Sequence, residues 1–272
     1  MRFTFKLWPQ ETTWEDLRRG WEAADVEGFW SGGWINDHLL PPRASEDLPI
    51  LEAWTVLAGL AARTRRLTLG TMVACNTYRH PSLLAKMATT LDHVSGGRLR
   101  LGLGAGWHER EHEAFGIRLP PLGERFDRLE ETLEILRGLF TQEVFDYRGR
   151  FYRLQGARLV PKPVQEPGPP LAVGGAGPRR TIPLAARWAD LWNFPDFGFD
   201  PDTFRERRSL LVESSRLHGR RVEVSVQFRY SGDLGEVRER VAAYREIGVD
   251  EILVSFVPPV DPLEPVRLAE RL

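Results

Sequence analysis

Eight short β-rich runs, each followed by an amphipathic stretch, constrain this chain more than any other feature. RFTFKLW at 2–8, FWSGGW at 29–34, RLTLGTMVA at 66–74 and RLRLGLGAG at 98–106 are the first four. PLAVGG at 170–175, DLWNF at 190–194, VEVSVQFRYS at 222–231 and EILVSFV at 251–257 complete the set. The intervening stretches carry helix signals. Thr12 or Thr13 caps TWEDLRRGWEAADVEG, which stops at Gly28, and Pro81 opens HPSLLAKMATTLDHVSGG, which Gly96 and Gly97 close. In ERFDRLEETLEILRGLF the apolar residues Phe126, Leu129, Leu133, Leu136 and Phe140 recur at helical spacing. Alternating strands and helices imply parallel sheet with right-handed crossovers. Eight units in 272 residues, without a linker or composition shift, predict an α/β fold: one (β/α)8 TIM barrel domain over 1–272. A doubly wound open sheet is the alternative. The rhythm breaks over 141–168, read as an insertion whose FDYRGRFYRL segment is a hairpin turning at Arg148–Gly149.

Charge and cysteine content narrow the function classes. A net charge of −1 with no polybasic segment argues against nucleic acid and anionic membrane surfaces as partners. No run reaches ~18 consecutive apolar residues, and MRFTFKLWPQ lacks a signal-peptide core, so a cytoplasmic globular protein is expected. The single cysteine, Cys75, excludes an internal disulfide. Lysine occurs only at Lys6, Lys86 and Lys162, leaving few candidates for Schiff-base chemistry. The nine tryptophans are read first as core, with lining of a broad aromatic ligand as the sharper alternative.

In a (β/α)8 barrel the active site lies at the carboxyl ends of the strands, which gathers INDH, GTMVACNT, GLGAGW and VGGAG around one mouth. WHEREHE contains His-Glu-x-x-His, in which His108 and His112 share a helix face and Glu109 is the general base of a zinc peptidase. No third ligand follows on a later helix, so the match is read as accidental and no metal is expected. LGLGAGW is G-x-G-x-G, not the dinucleotide fingerprint. VGGAGPRR leaves a strand and starts a helix, so its backbone N–H groups suit an anion, assisted by Arg179 or Arg180; a tight turn that needs glycine is the equal alternative. After the second strand, Asp37 and His38 form a carboxylate–imidazole pair. A single histidine at a barrel mouth suits proton handling or hydrogen bonding to a cofactor.

These residues together resemble the bacterial luciferase-like oxidoreductases, specifically the branch that uses the deazaflavin coenzyme F420. The resemblance rests on NDHLLPP, the long stretch from LEAWTVLAGLAARTRRLTLGTMVAC to DHVSGGRLRLGLGAGW, EHEAFGIRLPPLGERFDRLEE, FYRL, PKPVQ and PPLAVGGAGPRRTIPLAARWADLWN, nearly continuous over 36–193. It implies hydride transfer between coenzyme and a small organic substrate in a homodimeric barrel. It also implies a non-proline cis peptide at Met72–Val73 behind the ring. Asp37 and His38 would border the ring and carry catalysis, with Asn76 a polar ring contact. Gly104, Ala105 and Gly106, followed by Trp107, and Gly174, Gly175 and Ala176, followed by Gly177, would contact the coenzyme. The chain departs from relatives that oxidise sugar phosphates by placing Trp107 where they carry a glutamate proton donor, and it lacks the lysines that would hold a substrate phosphate. Alternatives are an FMN-dependent monooxygenase of the same superfamily and, in another class, a flavin or deazaflavin carrier without turnover.

Overall fold

The structure is a computed structural model that describes residues 1–42 and 44–272. Eight parallel strands close into a barrel: β1 (Arg2–Leu7), β2 (Gly32–Ile35), β3 (Thr68–Cys75), β4 (Leu99–Gly104), β7 (Leu171–Gly174), β8 (Leu191–Pro195), β9 (Glu223–Arg229) and β10 (Glu251–Phe256). The order around the barrel is β1-β10-β9-β8-β7-β4-β3-β2, so each strand lies beside its neighbours in the chain and β1 closes on β10. The open doubly wound alternative is thereby excluded. The remaining strands, β5 (Phe145–Arg148) and β6 (Arg153–Ala157), pair antiparallel as the predicted hairpin within the insertion.

Local chemistry sets the helix limits as anticipated. Thr13, not Thr12, caps α1 (Trp14–Glu27), accepting from the Asp16 amide at 3.1 Å, and Gly28 ends it with φ 97°. Glu52 caps α2 (Ala53–Arg63), Pro81 starts α3 (Pro81–Ser95), and α4 (Glu109–Ala114) and α5 (Leu122–Thr141) follow β4. Then come α6 (Thr181–Trp188), α7 (Pro201–Leu217), α8 (Leu234–Ile247) and α9 (Glu264–Ala269). The short α9 carries no periodic signal in its six residues; it is positioned by contact, with the Trp30 indole donating to the Pro265 carbonyl at 3.0 Å.

Apolar side chains occupy two layers. The larger lies between strands and helices, where Phe5 packs edge-on to Trp21 and Trp30. The smaller, Trp34, Met72, Ala172, Leu191 and Leu253, fills the barrel interior. Below it Glu251, fully buried, accepts from Arg100 at 2.5 Å and seals the amino-terminal end of the barrel. Above it β3 bulges: Thr71 pairs with Leu101 but Ala74 with Leu103, so β3 carries one extra residue. The Met72–Val73 peptide inside this bulge is cis, as the resemblance implies.

Candidate active site

A cavity of about 270 Å³ opens at the carboxyl ends of the strands, lined mostly by apolar groups. Of the residues singled out from sequence, Asp37, His38, Met72, Val73, Gly106, Trp107, Gly174 and Gly175 form its wall. Gly104, Ala105, Ala176 and Gly177 are not on that wall. Gly104 has a packing reason of its own, since a Cβ there would lie 2.5 Å from Val73 Cγ2. A Cβ on Gly174 would approach Val73 Cγ1 to 2.9 Å, so both glycines admit the bulge side chain. Asn76 lies in a neighbouring cavity of about 320 Å³, with Arg79, Arg118 and Arg128. Trp21, Trp30, Trp34 and Trp192 are core, as first read, while Trp8 and Trp107 line the main cavity.

The segment after β2 supplies the polar wall. Asp37 is buried, and both its oxygens are engaged: Arg79 donates to them at 2.6 and 3.1 Å, and the Cys75 amide donates at 3.0 Å. Burial pushes its carboxyl above the ordinary range against the pull of Arg79. These contacts tie Asp37 to the β3 segment and to Arg79, so its carboxylate anchors the segment that carries His38. Cys75, also on the wall, is pushed up to about 11 by burial and stays a neutral thiol.

His38 is held from a direction that sequence reading missed. Its Nδ1 lies 3.0 Å from Glu111 Oε1, and Glu111 also accepts from the amides of Leu39 at 2.9 Å and Leu40 at 3.3 Å. Burial raises the Glu111 carboxyl, but hydrogen bonding and attraction from His38, with the Leu39 amide, outweigh it and hold it at about 2. An ionised carboxylate only accepts, so Nδ1 carries a hydrogen and donates to it. That leaves Nε2 as the nitrogen that takes or gives a proton. The site therefore has its carboxylate, four residues beyond Trp107. Trp107 keeps the position at which sugar-phosphate-oxidising relatives are expected to carry a glutamate, and Glu111 is a carboxylate of the cavity wall from another position.

Asn36 was also overlooked. It lines the cavity, is 4% exposed, and neither its Nδ2 nor its Oδ1 has a partner among the described residues. A buried primary amide with an unused donor and acceptor is costly unless a ligand completes it. The sequence offered no signal beyond its position beside Asp37.

The His-Glu-x-x-His match is built for another purpose. His112 Nδ1 donates to the His108 carbonyl at 2.7 Å, so its Nε2 accepts from the Thr77 hydroxyl at 2.6 Å. His108 Nδ1 accepts from the Glu111 amide, capping α4. Both His112 nitrogens are thus spent on fixing the helix that carries Glu111. His112→Ala is expected to cost about 1–3 kcal/mol of stability in denaturant unfolding and to leave metal content unchanged. Stoichiometric zinc in the protein, lost with that substitution, overturns this reading. In the VGGAGPRR turn Arg180 pairs with Asp127, and Arg179 lines a cavity separate from the main one, with Glu130 and His218.

Comparison with known proteins agrees with this architecture. An uncharacterized protein of Mycobacterium tuberculosis (strain ATCC 25618 / H37Rv) is 36% identical over 206 residues, covering 76% of this chain and 70% of that one. An F420-dependent glucose-6-phosphate dehydrogenase of Microbacterium testaceum is 29% identical over 286 aligned residues, covering 100% of this chain and 80% of its own. The fold matches an F420-dependent secondary alcohol dehydrogenase in complex with an F420-acetone adduct, with TM-score 0.87 at 17% identity over 100% of this chain and 98% of that one. The family model described as luciferase-like monooxygenase matches residues 2–231. The chain belongs to the luciferase-like monooxygenase family.

Proposed function

We propose that the protein is a coenzyme F420-dependent oxidoreductase that transfers a hydride between the deazaflavin and a small organic substrate. The observation that carries this reading is the pairing, in one largely apolar cavity, of an unpartnered Asn36 amide with an imidazole braced by Glu111. A flat heteroaromatic ring with donors and acceptors on one edge fits such a wall: Asn36 would hold that edge, and the bulge at Val73 would back the ring's face. The bound coenzyme supplies the hydride chemistry; the protein supplies binding, orientation and electrostatics. Asp37 and Arg79 fix the turn that presents Asn36 and His38. His38, through Nε2, gives a proton to the substrate or removes one as the hydride moves, and Glu111 balances the imidazolium charge. Trp107, half exposed at the mouth and edge-on to His38 at 5.6 Å, limits water access to that nitrogen.

Titration of the purified protein with coenzyme F420 and with FMN, followed by fluorescence, tests the reading. The deazaflavin is expected to bind with a Kd of about 1 μM or below, and FMN more weakly. FMN that copurifies tightly, with no deazaflavin binding, overturns it in favour of an FMN-dependent monooxygenase.

A further inference from the structure

The cavity wall holds an amine that neither the fold nor the coenzyme reading uses. Of the three lysines, two are tied to carbonyls away from this cavity: Lys86 donates to Val160 at 2.8 Å, and Lys162 to Leu139 at 2.7 Å. Lys6, on β1, lines the cavity and is 4% exposed. Its nitrogen lies 3.5 Å from the Met72 carbonyl, at the limit of a hydrogen bond. It makes no ion pair among the described residues.

The carboxylates near the barrel axis are engaged elsewhere. Asp37 is paired with Arg79 and Glu111 with His38. Glu251 pairs with Arg100 and sits in register with Arg2, four residues down the strand from Lys6 and so roughly 13 Å away. Beside the amine stands Trp8, its ring centroid 5.3 Å from the nitrogen and its indole fixed by donation to the Ser255 hydroxyl at 2.9 Å. Arg229 stands at the same level of the barrel, since the ladders align Lys6 with Ser255 and Ser255 with Arg229. A proton is poorly held among these neighbours. Burial, reinforced by the charge of Arg229, pushes the Lys6 ammonium down to about 7. About half of the amine is then neutral at pH 7, against roughly one part in 2,500 of an ordinary lysine. The neutral amine is the form that attacks a carbonyl carbon, and a lysine desolvated near another cation is activated for that attack.

We infer that Lys6 is a carbonyl-capturing residue, whose amine condenses with an aldehyde or ketone admitted to the cavity and forms an imine. The nitrogen adds to the carbonyl carbon, a C=N bond replaces C=O, and the oxygen leaves as water. Trp8, Pro195 and Phe197 line the same cavity and would contact the apolar body of the captured molecule. This deepens the oxidoreductase reading by naming conjugated aldehydes and ketones as substrates, and it rests on that reading for the reduction alone. A protonated imine draws electrons from a conjugated C=C more strongly than the carbonyl it replaces. The far carbon of that bond takes hydride from the reduced deazaflavin, and the near carbon takes a proton. Hydrolysis then returns the Lys6 amine and the saturated product. Hydride added at the imine carbon itself would leave the lysine alkylated, so turnover requires the conjugated bond.

The test is reductive trapping in the coenzyme-free protein, with cinnamaldehyde and sodium cyanoborohydride at pH 7, followed by peptide mass mapping. Lys6 is expected to carry at least about tenfold more label than Lys86 or Lys162. Intact mass should show one rapid equivalent of label, lost in Lys6→Arg, with circular dichroism checking that the variant is folded. Labelling of Lys6 no greater than that of Lys86 and Lys162 overturns the proposal, as does a rapid equivalent that survives in Lys6→Arg. Label that stays on Lys6 when cyanoborohydride is omitted also overturns it, since conjugate addition would then have formed the bond. Failure of the coenzyme to bind counts against the oxidoreductase reading alone, because trapping is done without it.

Discussion

His38→Ala is expected to lower turnover by at least about 100-fold, the range that a general acid–base group supplies, while coenzyme affinity changes far less. The argument is geometric. Glu111 takes the Nδ1 hydrogen of His38 at 3.0 Å and is itself held by two backbone amides, so the ring has one orientation and one working nitrogen. Glu111→Gln removes the negative charge but keeps the shape. It should slow turnover less than His38→Ala, because the ring keeps a hydrogen-bond partner of the same shape while the imidazolium loses its counter-charge. A purely structural role for Glu111 would lower stability and leave the turnover of the folded variant unchanged. The assay begins with reduced coenzyme F420 and a panel of enones and nitro compounds. A fully active His38→Ala enzyme removes this residue from the mechanism.

The second large effect is on stability. Arg79→Met leaves the Asp37 carboxylate buried with only the Cys75 amide, and breaking a buried pair from one side costs about 3–5 kcal/mol. Arg79 also donates to Glu52, the cap of α2, at 2.8 Å, so part of the loss falls there. The sign with pH follows from burial, which raises the Asp37 carboxyl in the folded protein. Without Arg79 that rise is unopposed. The folded variant then holds a proton that the unfolded chain releases above its ordinary carboxylate range, so its stability falls as pH rises. The deficit against the parent protein is therefore larger at pH 8 than at pH 5, read by denaturant unfolding at both. Adding Asp37→Asn to the variant should recover part of the loss. A deficit below about 1 kcal/mol at pH 8 would show that the pair is weakly buried in solution.

The barrel was legible in the residues because its signals are local. Strand runs, helix caps such as Thr13 and stops such as Gly28 each depend on a few neighbours, and eight repeats of that grammar leave one economical closure. The mouth was legible too, since the rule that sites gather at strand carboxyl ends needs only topology. Partner choice was not. Glu111 finds His38 across 73 residues and Arg79 finds Asp37 across 42, and no spacing in the chain encodes either meeting. The local His-Glu-x-x-His pattern reads as an accidental match, but what the packed helix does with it, turning His112 onto Thr77 and setting the neighbouring Glu111 against His38, no local pattern encodes. Lys6 and Arg229, at opposite ends of the sequence, share a level only because β1 closes beside β10. Periodicity determines which face a side chain takes. Which charge, amide or hydroxyl it then meets is set by strand order and register, and these exist only once the barrel has closed.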